Sequence, residues 1–386
     1  MQQLPRNIVR FKNYGHAQMG NITTFLPDHF KNLIRPYYYW LKRHVRKSFK
    51  SSIVALPSHL NMAFTMKCQA ACPHCYFLQE NTATFKRPEL LTQKFLTNML
   101  GSPFCKNIRT MTCGGGEALL HPDILSLVKI PYQFGITQIQ IVSNGITLQD
   151  KDIVQRIIAN KSFNTLQVSL DAANADDFML KKGITKCDFN SILKNIAAIT
   201  ASYEKGGHFS TGLSFVINAR NIRDLSQMIK LAEELNVDYC HFATQQVTRD
   251  DNSSTIGQTV EKEQPEYDNV LRQTSYQVDI NIQPPLQSNF LHYFCASLAH
   301  HLSLSPEGRL APCCHIPWDK KYGMFDSCRE NPINNPAAVN LRDMFIAAKK
   351  EGNPVLLPQE CKKCPRRLKG YFHFSRHRRK WQFIPY

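Results

Sequence analysis

Residues Lys67-Cys68-Gln69-Ala70-Ala71-Cys72-Pro73-His74-Cys75-Tyr76 decide how this chain is read. Three thiols at the spacing C-x3-C-x2-C can each take one iron of a four-iron cube and leave the fourth iron without a protein ligand. Structural metal sites as a rule use four protein ligands, so three in one tight loop imply an open position for something exogenous. Taken alone, the three cysteines also fit a zinc site, with His74 as its fourth ligand.

The rest of the cysteine pattern points the same way. The chain has 386 residues and 13 cysteines, an odd number that argues against a simple disulfide framework. Clustered intracellular cysteines are more often metal-binding or catalytic than bridged. They fall in groups: 68/72/75, then 295/313/314/328, then 361/364. Cys105, Cys187 and Cys240 stand alone and are expected as buried thiols, and Cys113, before a glycine run, as a packing residue near the site.

Hydrophobic content of 43% suits a globular protein long enough for a large catalytic domain plus a small one. No uninterrupted apolar run approaches the ~20 residues of a membrane span. The N-terminus, with Arg6, Arg10 and Lys12, lacks the apolar core of a signal peptide, so a cytoplasmic location is expected. The formal charge of +17 sits at the ends. Residues 1–67 hold eleven Lys/Arg against Asp28, residues 361–386 hold nine against no acid, and the stretch between has 27 basic and 29 acidic residues. The catalytic body is therefore no generic polyanion binder. Residues 28–50 read as an aromatic, basic helix with Asp28 as N-cap and Pro36 as a break, suited to a solvated docking helix, an anionic membrane surface or an acidic partner. Nucleic acid is not expected, because no recognised binding fold accompanies the charge.

From residue 61 to about 243, strand-like apolar runs alternate with helical periods, the pattern of a parallel α/β architecture. Strands are expected at 61–67, 108–113, 137–143, 164–170, 211–217 and 237–243, with helices such as 121–130, 187–203 and 222–235 between them. Six units give a partial (β/α)6 barrel, short of the eight that close one. In such barrels chemistry gathers at the C-terminal strand ends. Cys68, Gly114-Gly115-Gly116-Glu117, Ser143-Asn144-Gly145, Ser169/Asp171 and Asn218 all fall there. Residues 244–290 are polar and Pro/Gln-rich and read as a junction. The expected divisions are a basic extension 1–60, the barrel 61–290, a cysteine-rich module 291–370 and a basic tail 371–386.

These motifs together resemble the radical S-adenosylmethionine (SAM) enzymes, over roughly residues 60–370. The resemblance implies a 4Fe–4S cluster on Cys68, Cys72 and Cys75, with SAM on the open iron. Gly115-Gly116-Glu117 is similar to the family's Gly-Gly-Glu-Pro motif, with Ala118 in place of Pro, and would meet the SAM amino group through backbone and carboxylate. Ser143-Asn144-Gly145 resembles its Thr-Asn-Gly element. Ser169-Leu170-Asp171 resembles its Ser-hydrophobic-Asp element, with Ser169 on the ribose or carboxylate side of SAM. Where many members place Arg-Gly for the SAM carboxylate, this chain has Lys182-Gly183, which supplies the charge without the bidentate fork.

At the other end, Cys295, Gly308, Cys313 and Cys361-x-x-Cys364 resemble the first half of the family's SPASM domain, the shorter "twitch" arrangement. Gly308 suits a tight turn joining two ligand-bearing strands. The implied ligands of one auxiliary 4Fe–4S cluster are Cys295, Cys313, Cys361 and Cys364, with Cys314 competing and Cys328 spare; a zinc ribbon on the same four is the alternative. The implied chemistry is reductive SAM cleavage to a 5′-deoxyadenosyl radical and hydrogen abstraction, with dehydrogenation of a sugar or cyclitol alcohol as the leading outcome. Modification of a ribosomally made peptide is the second, and a non-enzymatic iron–sulfur or zinc protein the third. A reductant such as flavodoxin or ferredoxin is the implied partner. No catalytic base or hydrogen donor is assigned: Asp171, Tyr239, Cys240 and His241 lie near strand ends and read as packing or supporting residues.

Overall fold

In a parallel sheet covered on both faces, strands run apolar throughout. Here they alternate. His59, Asn61 and Ala63 of β1 (His59–Thr65) face one way, and the buried Leu60, Met62 and Phe64 face the other. The same alternation runs through β2 (Thr110–Gly115), β3 (Gln138–Ser143), β4 (Thr165–Ser169), β5 (Ser210–Ile217) and β6 (Tyr239–Thr244). Met111, Ile139, Ile141, Leu166, Val168, Leu213, Phe215 and Phe242 join the main core under the helices. The opposite, inner face is built of Thr, Gln, Asn and His. A closed barrel normally packs such positions with branched apolar residues; this one keeps them hydrogen-bonding.

The structure is a computed structural model that describes residues 49–73, 75, 90–160, 162–218, 221–245, 265–284, 292–316, 318, 320–327, 331–362, 364–368 and 370–385. Residues 1–48 of the N-terminal extension, with nearly all of its basic aromatic stretch, His74, Cys328 and residues 246–264 and 285–290 of the expected junction lie outside that set. Among the described residues the strands form one eleven-stranded sheet in the order β11-β10-β7-β6-β5-β4-β3-β2-β1-β8-β9, and it is not closed. β1 to β6 carry the six expected units. Beyond them, β7 (Asp279–Ile282) adds in parallel to β6, and β8 (His301–Leu304) adds in parallel to β1. The residues read as a basic tail form most of a hairpin, β10 (Gly370–Ser375) and β11 (Lys380–Pro385), antiparallel on β7. Phe374, buried, and Trp381 meet Tyr276 edge-on, and this aromatic packing anchors the hairpin despite its basic residues. β9 (Leu310–Ala311) pairs antiparallel with β8 through the expected turn, where Gly308 has φ +92° and its position lies against the Phe95 ring.

Helices start at side-chain caps, which satisfy N–H groups that have no partner within the helix. Thr92 caps α1 (Gln93–Leu100), Asp150 caps α2 (Lys151–Ala159), Asn174 caps α3 (Ala175–Lys182) and Asp188 caps α4 (Phe189–Ala201). α5 (Leu225–Glu234) follows a 3-10 turn, and α6 (Pro336–Glu351) has Asn335 as cap and Pro336 in its first turn. α3 ends at Gly183, left-handed at φ +61°. The single helix expected at 121–130 is two short ones, Ile124–Leu127 and Ile130–Gln133, the second opening with Pro131 in its first turn. No described helix is long and apolar enough to cross a membrane.

Candidate radical site at the strand ends

The loop after β1 is tied down by its neighbours. Gly116 N–H donates to Thr65 O at 2.8 Å, and Glu117 N–H donates to Lys67 O at 2.7 Å. On the far side Ala71 N–H donates to Lys182 O at 2.7 Å, and Cys75 N–H donates to Cys72 O at 3.0 Å. These contacts need bare backbone. A Cβ on Gly116 would stand 2.2 Å from Lys67 O, and one on Gly183 would stand 2.3 Å from Ala71 O. Gln69 Nε2 donates to Thr147 Oγ1 at 2.8 Å, fixing the loop to the exit of β3.

The thiols so placed are unlike ordinary buried cysteines. Cys68 is exposed and Cys72 and Cys75 are half-buried, whereas Cys105, Cys113 and Cys240 are buried as expected; Cys187 is only half-buried. Asn144 Nδ2 donates to Cys68 Sγ at 3.5 Å. Partial burial raises the Cys68 thiol, and it pushes Cys72 up to about 11 despite the nearby Lys182. Metal binding at these thiols therefore releases protons.

A cavity of about 430 Å³ gathers the expected residues. Cys68, Cys72, Cys75, Gly115, Gly116, Ser143, Asn144 and Ser169 all line it. Glu117 does not. Its carboxylate is fully buried, accepting from Asn144 N–H at 2.6 Å and Leu119 N–H at 3.1 Å. Burial raises its pKa against the hydrogen bonds that hold it down. Through these bonds Glu117 joins the loop after β2 to the loop after β3. Ser143 Oγ accepts from Gly145 N–H at 3.0 Å, and Ser169 Oγ pairs with Ser214 Oγ at 2.9 Å.

Lys182, which lines the same cavity, is paired within the fold. Its ammonium is buried, 2.7 Å from Asp171 Oδ2 and 2.6 Å from Ser169 O. Burial works against its charge, and Asp171 together with Cys72 and Glu117 outweighs it, so the net shift is upward. Asp171 holds the left-handed φ of +62°, and its Oδ1 accepts from Val216 N–H at 2.7 Å. The pair is a foundation under the loop, and a Lys followed by Gly gives no sequence signal for it.

The C-terminal cysteines reach the same cavity from another side. Cys295, Cys313, Cys361 and Cys364 are buried, and each lies within electrostatic reach of others in the set. Burial raises all four thiols. Cys313 and Cys314 line the cavity. Burial alone would raise Cys314 too, but Arg366 and His315 hold it down to about 6. Arg367, which sequence reasoning passed over, fixes the Cys361-x-x-Cys364 turn: its guanidinium donates to Cys361 O, Lys362 O and His292 O at 2.8 to 3.0 Å. Among the described residues no three His, Cys, Asp or Glu side chains converge as they would on a single ion. A multi-iron cluster instead takes each thiolate on a different iron.

Residues 62–232 match the radical SAM superfamily, and this part of the chain is a radical SAM domain. Enzymes of that family use a 4Fe–4S cluster and SAM, and the donor set of the Cys68 loop, opening on a cavity walled by glycines, fits both. The chain is 23% identical to the GTP 3′,8-cyclase of Marinobacter nauticus over 182 residues, covering 47% of this chain and 52% of that one. A probable GTP 3′,8-cyclase of Saccharolobus islandicus is 27% identical over 187 residues, covering 47% and 55%. The chain thus spans about half the length of the curated relatives it matches. Among solved structures, anSMEcpe with bound AdoMet and Cp18Cys peptide has a TM-score of 0.56 at 13% identity, covering 82% of this chain and 89% of that one. Streptococcus suis SuiB has a TM-score of 0.53 at 15% identity, covering 85% and 75%. These likenesses show the fold, and they extend beyond residues 62–232.

Proposed function

We propose that this protein is a radical SAM oxidoreductase that dehydrogenates a hydroxyl-bearing carbon of a small polar molecule. The substrate would lose a hydrogen atom to the 5′-deoxyadenosyl radical, then a proton, and an electron to an auxiliary cluster on Cys295, Cys313, Cys361 and Cys364. One observation carries the reading: a single cavity is lined by the Cys68/Cys72/Cys75 loop and by Cys313 and Cys314. A molecule held there lies between the two thiol groups.

When bound, a 4Fe–4S cluster on the Cys68 loop supplies the electron that splits SAM into methionine and the 5′-deoxyadenosyl radical. The chain's own residues position the reactants. Gly115 and Gly116 bring bare backbone to the cavity wall, and Asn144 holds Cys68 Sγ while Glu117 holds Asn144 N–H. Asn61, Thr112 and Ser303 present neutral hydrogen-bonding groups to the same space, chemistry suited to hydroxyls.

The second reading is a peptide substrate. It is prompted by the folds shared with anSMEcpe bearing a Cp18Cys peptide and with SuiB bound to precursor peptide SuiA. A nucleotide, named for the cyclase relatives, is the third.

The test is anaerobic reconstitution of wild type, a Cys68→Ala/Cys72→Ala/Cys75→Ala variant and a Cys361→Ala/Cys364→Ala variant, with iron counting and a SAM-cleavage assay. Roughly eight irons in wild type and four in each variant are expected, with deoxyadenosine from every protein except the loop variant. Four irons in wild type and none in the loop variant would remove the electron-acceptor argument. Screening polyols, peptides and nucleotides for substrate-dependent deoxyadenosine then separates the three readings.

A further inference from the structure

A second cavity, of about 310 Å³, opens at the other end of the strands. His59, Thr110, Gln138, Thr165 and Tyr239 line it, and each is the first residue of its strand. The cavity of the Cys68 loop lies at the opposite strand ends, and Thr112 lines both. Asn61, in the upper wall, pairs through Oδ1 with Nε2 of His59, in the lower wall, at 3.0 Å. One hydrogen bond thus reaches from the wall of one cavity to the wall of the other.

The side chains between them form a continuous set. Thr112 Oγ1 meets His59 Nε2 at 3.3 Å, and His59 Nδ1 meets Thr110 Oγ1 at 2.6 Å. Asn61 Nδ2 reaches His301 Nδ1 and Ser303 Oγ, both at 3.2 Å, so this wall is braced from β8. A hydroxyl or an imidazole can take a proton on one side and release one on the other. Burial keeps the His59 ring neutral between transfers, so a proton that reaches it is passed on. The lower cavity is polar and roomy enough to hold several waters.

The proposed oxidation must dispose of a proton, and two nearby carboxylates are committed. Asp171 is bonded to Lys182 and to Val216 N–H, and Glu117 to the N–H groups of Asn144 and Leu119. We propose that this proton leaves along the inner face of the sheet, from Thr112 through His59 to Thr110 and the lower cavity. The substrate radical, HO–C•, gives its electron to the auxiliary cluster and its hydroxyl proton to Thr112 Oγ1, leaving C=O. The proton of Thr112 moves to His59 Nε2, that on Nδ1 to Thr110 Oγ1, and that of Thr110 to water. His59 acts through Thr112 and is a positioning residue. The inference rests on the oxidation reading.

The test uses reconstituted protein, SAM and a polyol panel from glycerol to inositol, with the best member carried forward. His59→Gln keeps a donor and an acceptor but has no ring to pass a proton. It should oxidise that polyol about 100-fold more slowly, with iron content and SAM affinity as in wild type. Freeze-quenched samples should show the organic radical accumulating by electron paramagnetic resonance. His59→Gly opens space beside the lower cavity, so added imidazole should restore its rate tenfold or more and leave His59→Gln unmoved. Oxidation at the wild-type rate in His59→Gln, or equal stimulation of all proteins by imidazole, overturns the route and sends the proton to bulk solvent. Slow oxidation with lost iron or SAM affinity and no radical overturns it too, and leaves His59 a packing role. A wild type that cleaves SAM but oxidises no polyol sinks the proposed function, and this route with it.

Discussion

The two thiol groups are built in opposite ways. The Cys68 loop takes all three thiols from eight residues, leaves them exposed or half-buried, and is held by backbone contacts that only glycine permits. The C-terminal group draws its thiols from three separate segments, buries them, and is held by the Arg367 side chain reaching carbonyls. An open site needs room above it and a stiff floor below; a closed site needs its ligands gathered and sealed. The first arrangement suits a position that exchanges a ligand, and the second one that only passes electrons.

The largest effect should come from the floor. Lys182→Met strands the buried Asp171 carboxylate and is expected to cost about 3–5 kcal/mol, read as a urea midpoint shift. If the loss is under about 1 kcal/mol, the pair is solvated and the floor is no different from the surface. Next, Gly116→Ala forces its Cβ onto Lys67 O and should lower SAM cleavage about 100-fold by moving the loop, while the C-terminal irons stay. An unchanged rate would mean the loop shifts freely and the contrast with the sealed site fails. Arg367→Met removes three hydrogen bonds to carbonyls and should halve the iron content, leaving deoxyadenosine formation within about threefold. Equal loss from both sites would show that they are not independently held.

The smallest effect is pH dependence from the inner face that lies below both sites. Burial lowers His59 and His241 to about 4, well under their ordinary 6.5. The folded state therefore binds fewer protons, so this contribution to stability is present above about 6.5 and is lost as pH falls toward 4. Thermal midpoints should drop across that window, and His59→Gln/His241→Gln should flatten the drop. A parallel decline in the variant would assign acid sensitivity to other groups.

The open site was far more legible than the sealed one. Cys68, Cys72 and Cys75 fall in one short motif, and β1 to β6 start and end within two residues of the stretches their alternation marks. The β8–β9 hairpin was marked by Gly308, but β7, β10 and β11 were not legible. β7 is four residues long, and β10 and β11 hide their alternation of Phe372, Phe374, Trp381 and Phe383 in a run of basic residues. Side-chain direction was not legible either. Glu117 stands where a ligand contact is expected, yet which way a carboxylate turns depends on N–H groups from Asn144 and Leu119, and spacing does not reveal them. Lys182 likewise reads as an available cation until Asp171, eleven residues earlier, is seen beside it.

The seam between β1 and β8 bears on how the molecule is made. Asn61 of the first strand bonds to His301, 240 positions later, so this edge cannot form until most of the chain has left the ribosome. Contacts of such long separation are slow to close. The Cys68 loop with its floor at Lys182 is complete well before then, and the C-terminal thiols become neighbours only at the end. Iron loading should therefore be ordered in time, the early loop first, and a chain stalled short of residue 300 should be able to fill one site and never the other.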